Sequence, residues 1–131
     1  MVDEVLPVRH AVLWPEQSLD FSRVADDAQG LHFAARMDDA VVAVASLFIQ
    51  DGRARLRKFA TLPAWQGQGV GSALLRHLLG VAREAGCAGF WCDARQSAMP
   101  FYAHFGLRPE GEPWLREGVL FVRMGCAIAA Q

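Results

Sequence analysis

No stretch of this 131-residue sequence approaches the ~20 consecutive apolar residues that a bilayer span requires, although 53% of its residues are hydrophobic. The apolar residues come in short runs broken by Gly, Pro and charge, the pattern of one soluble domain with a buried core. The opening Met-Val-Asp-Glu-Val-Leu-Pro lacks a basic segment followed by an apolar one, which reads as cytoplasmic rather than exported. Cysteine is scarce: Cys87, Cys92 and Cys126 are odd in number and have no CxxC spacing. They suggest neither a disulfide framework nor a metal site, and read as small core residues. A charge imbalance is missing too, with 13 Lys and Arg against 14 Asp and Glu. A net charge of −1 removes the broad basic footprint of a nucleic-acid binder, so any anion site must be local. Repeats, low-complexity tracts and linkers are absent, so residues 1–131 read as a single domain.

What is present is an alternation of strand and helix signals. Pro7 with Val8, Ala11 and Val12 predicts a first helix at about 7–14, which Pro15 ends, and Ser18 to Gly30 reads as a polar segment. Leu31–Met37 and Ala40–Ile49 read as strands around an Asp38-Asp39 turn, and Asp51-Gly52 is a hairpin signal leading into a third strand, Arg53–Leu62. From Gly71 to Ala85 the residues Leu74, Leu75, Leu78, Val81, Ala82 and Ala85 recur at helical spacing, with Gly86 as the stop. A strand over Phe90–Ala94 then implies a right-handed βαβ crossover with two parallel strands. Ser97 is placed to cap a short helix through His104 that Gly106 ends, and Leu107–Glu112 and Val119–Met124 complete the chain as strands around Pro113 and Gly118. The fold class is α/β: a mixed sheet, antiparallel at its ends and parallel in the middle.

The segment Thr61-Leu62-Pro63-Ala64-Trp65-Gln66-Gly67-Gln68-Gly69-Val70-Gly71-Ser72 joins a strand to the strongest helix. Three glycines at alternate positions expose backbone N–H groups at a helix N-terminus, where the helix dipole favours a phosphate or pyrophosphate; a turn with close helix packing is the plainer alternative. It is not a P-loop, because no Lys precedes Ser72. It is not a dinucleotide fingerprint either, because Leu74 stands where the third glycine belongs.

This segment resembles the acetyl-CoA loop of the GNAT family of N-acetyltransferases, Gln/Arg-x-x-Gly-x-Gly/Ala after a strand ending in Val-x-Pro. Gln66-Gly67-Gln68-Gly69-Val70-Gly71 matches the loop, and Thr61-Leu62-Pro63 the strand end, with Thr for Val. A second stretch, Ala98-Met99-Pro100-Phe101-Tyr102-Ala103-His104-Phe105-Gly106-Leu107, is similar to the family's Ala-x-x-Phe-Tyr-x-x-x-Gly-Phe helix, with Leu in the last place. The resemblance covers about residues 40–124; the first forty match only in outline, with the first strand short or missing.

The resemblance implies that the parallel strands splay at their C-terminal ends to hold acetyl-CoA as cosubstrate. The main chain of Phe59, Ala60 and Thr61 would pair with the pantetheine, and the amides of Gln66, Gly67, Gln68, Gly69, Val70, Gly71 and Ser72 would hold the pyrophosphate. It also implies direct attack of a neutral amine, on a small molecule or a peptide, through a tetrahedral oxyanion. Tyr102, the only tyrosine, then stands at the general acid position and would protonate the departing coenzyme A thiolate.

Where many relatives carry a Glu on the strand before the loop, this chain has Arg55, Arg57 and Lys58, so base work falls to Asp93, His10 or His32 through water, or to no group at all. Arg95 replaces a cofactor-holding Asn and joins the cofactor set, with substrate contact or simple solvation as alternatives. Arg76 and Arg83 are candidates for a 3′-phosphate or for a solvated helix face. Cys92 has no partner that suggests a nucleophile. Trp14 and Trp114 read as acceptor-pocket or core residues, as do Trp65 and Trp91 with less reason for the pocket. Two other readings stand beside the enzyme. One is a silent acyl-CoA-binding module. The other is an interaction subunit whose apolar tail, Gly125–Ala130, joins a partner sheet or a homodimer.

Overall fold

The computed structural model describes residues 2–4, 19–26, 30–37 and 40–128, the first two segments as backbone. The expected helix at 7–14 with His10 and Trp14, and the Asp38-Asp39 turn, lie outside the described residues. Among the described residues nine strands form one mixed sheet: β1 (Val2–Glu4), β2 (Leu19–Asp26), β3 (Leu31–Met37), β4 (Ala40–Gln50), β5 (Arg53–Thr61), β6 (Gly89–Arg95), β7 (Arg108–Pro109), β8 (Trp114–Arg116) and β9 (Val119–Ala127). Their order is β1-β2-β3-β4-β5-β6-β9-β7, with β8 also on β9. Every pairing is antiparallel except β5 with β6.

The turn chemistry explains the antiparallel half. Asp51 (φ 54°) and Gly52 (φ 77°) both lie in the left-handed region, the two-residue hairpin geometry whose twist matches the flanking strands. Between Val44 and Ser46 the register of β4 on β5 slips, from Ser46↔Arg57 to Val44↔Ala60. The extra residue makes a bulge containing Lys58 at φ 57°. Before the bulge Ala54 and Leu56 face the core; after it the phase is reversed and Phe59 packs inward on Phe101 and Tyr102.

Helix α1 (Val70–Glu84) buries Leu74, Leu75, Leu78 and Ala82 completely on one stripe. Each such leucine contributes roughly 1.5–3 kcal/mol. Gly86 (φ 83°) ends the helix: the Cys87 N–H donates to Ala82 O at 3.0 Å and the Gly86 N–H to Arg83 O at 3.0 Å. Helix α2 (Met99–His104) ends the same way at Gly106, with Leu107 N–H on Tyr102 O at 3.2 Å. Both helices cover the same face of the sheet, and Arg76 of α1 lies over the Phe105 ring just past α2. Among the described residues no helix is long and apolar enough to cross a membrane.

Four expectations need correction. The segment read as polar contains β2, whose Leu19-Asp20-Phe21-Ser22 alternation of apolar and polar residues is a strand pattern obscured by its charges. Ser97 does not cap α2; it lies within a 3-10 turn, Gln96–Ala98, and Ala98 takes the N-cap place without a side-chain bond. The strand expected over Leu107–Glu112 shrinks to two residues, because Pro109 lacks a donor and Gly111 turns the chain at φ 113°. The last connection is a hairpin, β8 to β9, through Glu117 (φ 50°) and Gly118 (φ 79°). As for the tail, Gly125 to Ala127 sit inside the sheet opposite β6, and the Ile128 N–H donates to Ala88 O at 2.9 Å.

Candidate active site

The parallel pairing of β5 and β6 runs from Arg53↔Gly89 to Leu56↔Cys92 and stops, although β5 continues to Thr61 and β6 to Arg95. The bulge and the loss of pairing have one result: the strands diverge, leaving backbone of β5 unpaired on that side. An open cleft of about 800 Å³ fills the gap. Of the residues singled out from sequence, Phe59, Ala60, Thr61, Gln66, Gly67, Gly69, Gly71, Ser72, Arg95 and Tyr102 line it. Gln68 and Val70 do not: Val70 is fully buried in the core, and the Gln68 amide donates to Ala64 O at 3.0 Å.

The loop is shaped for an anion. Gly67 (φ 76°) and Gly69 (φ 86°) adopt left-handed backbone, and a Cβ at Gly67 would meet open space. Gly69 is the N-cap of α1 and makes no side-chain cap; the first intrahelical bond is Ala73 N–H to Gly69 O at 3.0 Å. The amides of Val70, Gly71 and Ser72 thus precede the helix ladder, with no acidic residue in the first turn to compete for them. The glutamine side chains brace the loop: Gln66 Nε2 donates to Thr61 O at 3.0 Å, as Gln68 does to Ala64. A Cβ at Gly71 would lie in ordinary contact with the cleft wall, 3.4 Å from Thr61 Oγ1 and 3.6 Å from Phe59. This geometry fits the pyrophosphate of coenzyme A.

At the cleft floor Tyr102 is buried, with a side-chain hydrogen bond to Cys92. Burial first, and then the neighbouring thiol, push the phenol above its ordinary range, so it is protonated at neutral pH. Burial and Asp93 push the Cys92 thiol up to about 12, the hydrogen bond from Tyr102 acting the other way. Such a thiol is inert as a nucleophile at neutral pH. Cys87 is buried as well, and Cys126 is half-buried with its thiol raised by desolvation.

Asp93 enters the cleft already engaged. Arg123 Nε donates to its Oδ1 at 2.9 Å and Arg55 donates to Oδ2 at 3.2 Å. These guanidinia also stack on Trp91, with Arg123 4.1 Å and Arg55 4.6 Å from the ring centroid. His32 lies away from the gap on β3, its Nδ1 2.7 Å from Ser46 Oγ. Arg83 is in the last turn of α1, roughly 20 Å along the axis from the loop at 1.5 Å per residue, too far for a phosphate held there. Trp65 packs against the core, Trp91 carries the arginines, and Trp114 stacks on Phe121, a cleft residue.

Sequence reasoning did not find Phe121 or the Arg55–Asp93–Arg123 network, because they depend on how β5, β6 and β9 are registered against one another, which no local pattern encodes. Phe101 was within reach: it is the Phe of the Phe-Tyr pair and lies in the cleft wall beside Phe59.

Comparison with known proteins agrees with this geometry. The family model described as the acetyltransferase (GNAT) family matches residues 3–107. The chain is 31% identical to the uncharacterized N-acetyltransferase YitI of Bacillus subtilis, an alignment covering 90% of this chain and 85% of that protein. In structure it is similar to a putative N-acetyltransferase from Lactobacillus plantarum, with a TM-score of 0.72, 21% identity and coverage of 96% of this chain and 95% of that one. It also resembles a GNAT family acetyltransferase from Elizabethkingia anophelis with acetyl-CoA bound, with a TM-score of 0.68, 15% identity and coverage of 76% and 77%.

Proposed function

The chain belongs to the GNAT acetyltransferase family, and on that premise we propose that it transfers the acetyl group of acetyl-CoA to an amine by direct attack, without an acyl-enzyme. The observation that carries this reading is the opening between β5 and β6 directly in front of the uncapped N-terminus of α1. Acetyl-CoA supplies the activated thioester. The loop amides that border the cleft, those of Gln66, Gly67, Gly69, Gly71 and Ser72, hold the pyrophosphate, the backbone of Phe59, Ala60 and Thr61 pairs with the pantetheine amides, and Arg95 borders the reactive end.

The acceptor nitrogen forms the new C–N bond as the C–S bond breaks. Tyr102 gives its phenolic proton to the leaving sulfur, and solvent returns one to the phenolate. The proton lost by the nitrogen passes to water, since Asp93 has its carboxylate oxygens held by Arg55 and Arg123. The test is a panel of amines offered with acetyl-CoA, following coenzyme A release. Release above the acceptor-free rate with any amine supports the reading; none, in protein that binds coenzyme A by calorimetry, replaces it with a silent acyl-CoA-binding module. That second reading draws on one observation: β5 offers the cleft Arg57 and Lys58 but no carboxylate.

A further inference from the structure

Building on the acyl-transfer reading, we propose that the acceptor is an amino carboxylate, whose carboxylate Arg57 and Arg95 grip on the face of the sheet opposite the helices. Register fixes that face. Arg55 lies opposite Trp91, Asp93 opposite Arg123, and Arg95 opposite Phe121, and residues directly opposite one another share a face. Leu56, Cys92 and Ala94 alternate to the buried side, toward α1 and α2. Arg57 and Arg95 therefore stand on the two diverging strands, one on each side of the gap, and both line the cleft.

Their charge is not spent. Asp93 is the one carboxylate among the described residues lining the cleft, and Arg55 and Arg123 already neutralise it. Among the described residues the Arg57 guanidinium meets only the ring of Phe48, 5.8 Å from its centroid, and Arg95 has no ion pair. Nor does the pyrophosphate need them, because the loop amides that receive it lie at the N-terminus of α1, on the helix side. Two uncompensated guanidinia on the opposite side suit an anion, and their planar forks match a carboxylate in particular.

The same charge acts on the nucleophile. A cationic surrounding disfavours an ammonium and lowers its pKa, so the attacking nitrogen is more often neutral, which is the task a strand carboxylate performs elsewhere. A carboxylate on the acceptor offsets the repulsion that a polyamine or lysine-rich peptide would meet.

The experiment measures kcat/KM with acetyl-CoA for common L-amino acids, their C-terminal amides and spermidine. In parallel, calorimetry measures binding of the same compounds to coenzyme A-loaded protein. The wild type should prefer the acid over its amide by about tenfold to a hundredfold, the scale of a charged hydrogen-bond set. Arg57→Gln and Arg95→Gln should collapse that ratio toward one, while Arg57→Lys should retain part of it; melting curves verify that the variants fold. Preference for amides or spermidine, or a ratio unmoved by both substitutions, overturns the proposal while the transferase reading stands. Selective binding of amino acids without turnover preserves the ligand class and removes the transferase reading. No binding preference for acid over amide overturns the proposal whatever the turnover.

Discussion

The Tyr102 hydroxyl and the Cys92 thiol share a hydrogen bond at the cleft floor, and the bond opposes what burial does to the thiol: it favours the thiolate while desolvation and Asp93 favour the thiol. Desolvation wins, so at neutral pH both groups keep their protons. Tyr102→Phe keeps the packing against Phe101 and Phe59 and removes the donor. Turnover should fall by roughly 10²-fold or more with little change in coenzyme A affinity, measured by steady-state kinetics and calorimetry. Full activity in the variant would show that the phenol only packs.

A negative charge in the first turn of α1 should block the cofactor without harming the helix. Ser72→Glu places a carboxylate where the dipole favours it, so helix stability should hold or rise by up to about 0.5 kcal/mol. Coenzyme A affinity should drop by about tenfold or more through loss of the charged bonds to the phosphates. Calorimetry with denaturant unfolding separates the two effects. Gly69→Glu is the less clean probe, because at φ 86° any side chain adds roughly 1–2 kcal/mol of backbone strain.

Stability should decline on the alkaline side. Cys92 titrates near 9.0 when unfolded and at about 12 in the fold, and Tyr102 is raised in the same direction. The folded chain therefore holds protons that the unfolded chain has released. The stabilisation is complete below pH 9 and is lost as pH climbs toward 12, with a slope of up to about 1.4 kcal/mol per pH unit for each group. Urea unfolding at pH 8, 9 and 10 under reductant should show the decline. Cys92→Ala should flatten it without abolishing it, because Cys126 is also raised. An equal slope in wild type and variant would contradict the assignment.

Asp93→Asn should cost about 1 kcal/mol, less at high salt, because both its arginine partners are partly exposed. Turnover should fall far less than in Tyr102→Phe. A hundredfold loss with a shifted acid limb in the pH–rate profile would instead make Asp93 the general base.

The parts of the molecule legible in the sequence are those whose physics is local. Gly86 and Gly106 announced helix ends because a left-handed C′ residue is a one-residue signal. Asp51-Gly52 announced a hairpin, and Gly67, Gly69 and Gly71 an anion loop, for similar reasons. What stayed hidden depends on partners distant in the chain. The arginines around Asp93 come from β5 and β9, 38 and 30 residues away from it. The three-residue β8 carries too few residues to show alternation, and Lys58 bears no mark of a bulge, being a residue type that seldom adopts positive φ.

That bulge also sets a reading frame for β5. From Arg53 to Arg57 odd-numbered residues face away from the helices, and from Phe59 to Thr61 odd-numbered residues face toward them, because one residue is left over opposite Ala45. Removing Lys58 itself would close the bulge: Phe59 would fall opposite Ala45 and Ala60 would stay opposite Val44, so Phe59 and Thr61 would keep their inward side toward Tyr102 and Gly71 while the strand lost its bend. What the extra residue supplies is the bend that takes the end of β5 out of step with its neighbours, so point changes in this strand can drift one at a time, whereas losing that residue would straighten the strand beside the gap. Over evolutionary time the strand should therefore vary in letters and hold its length.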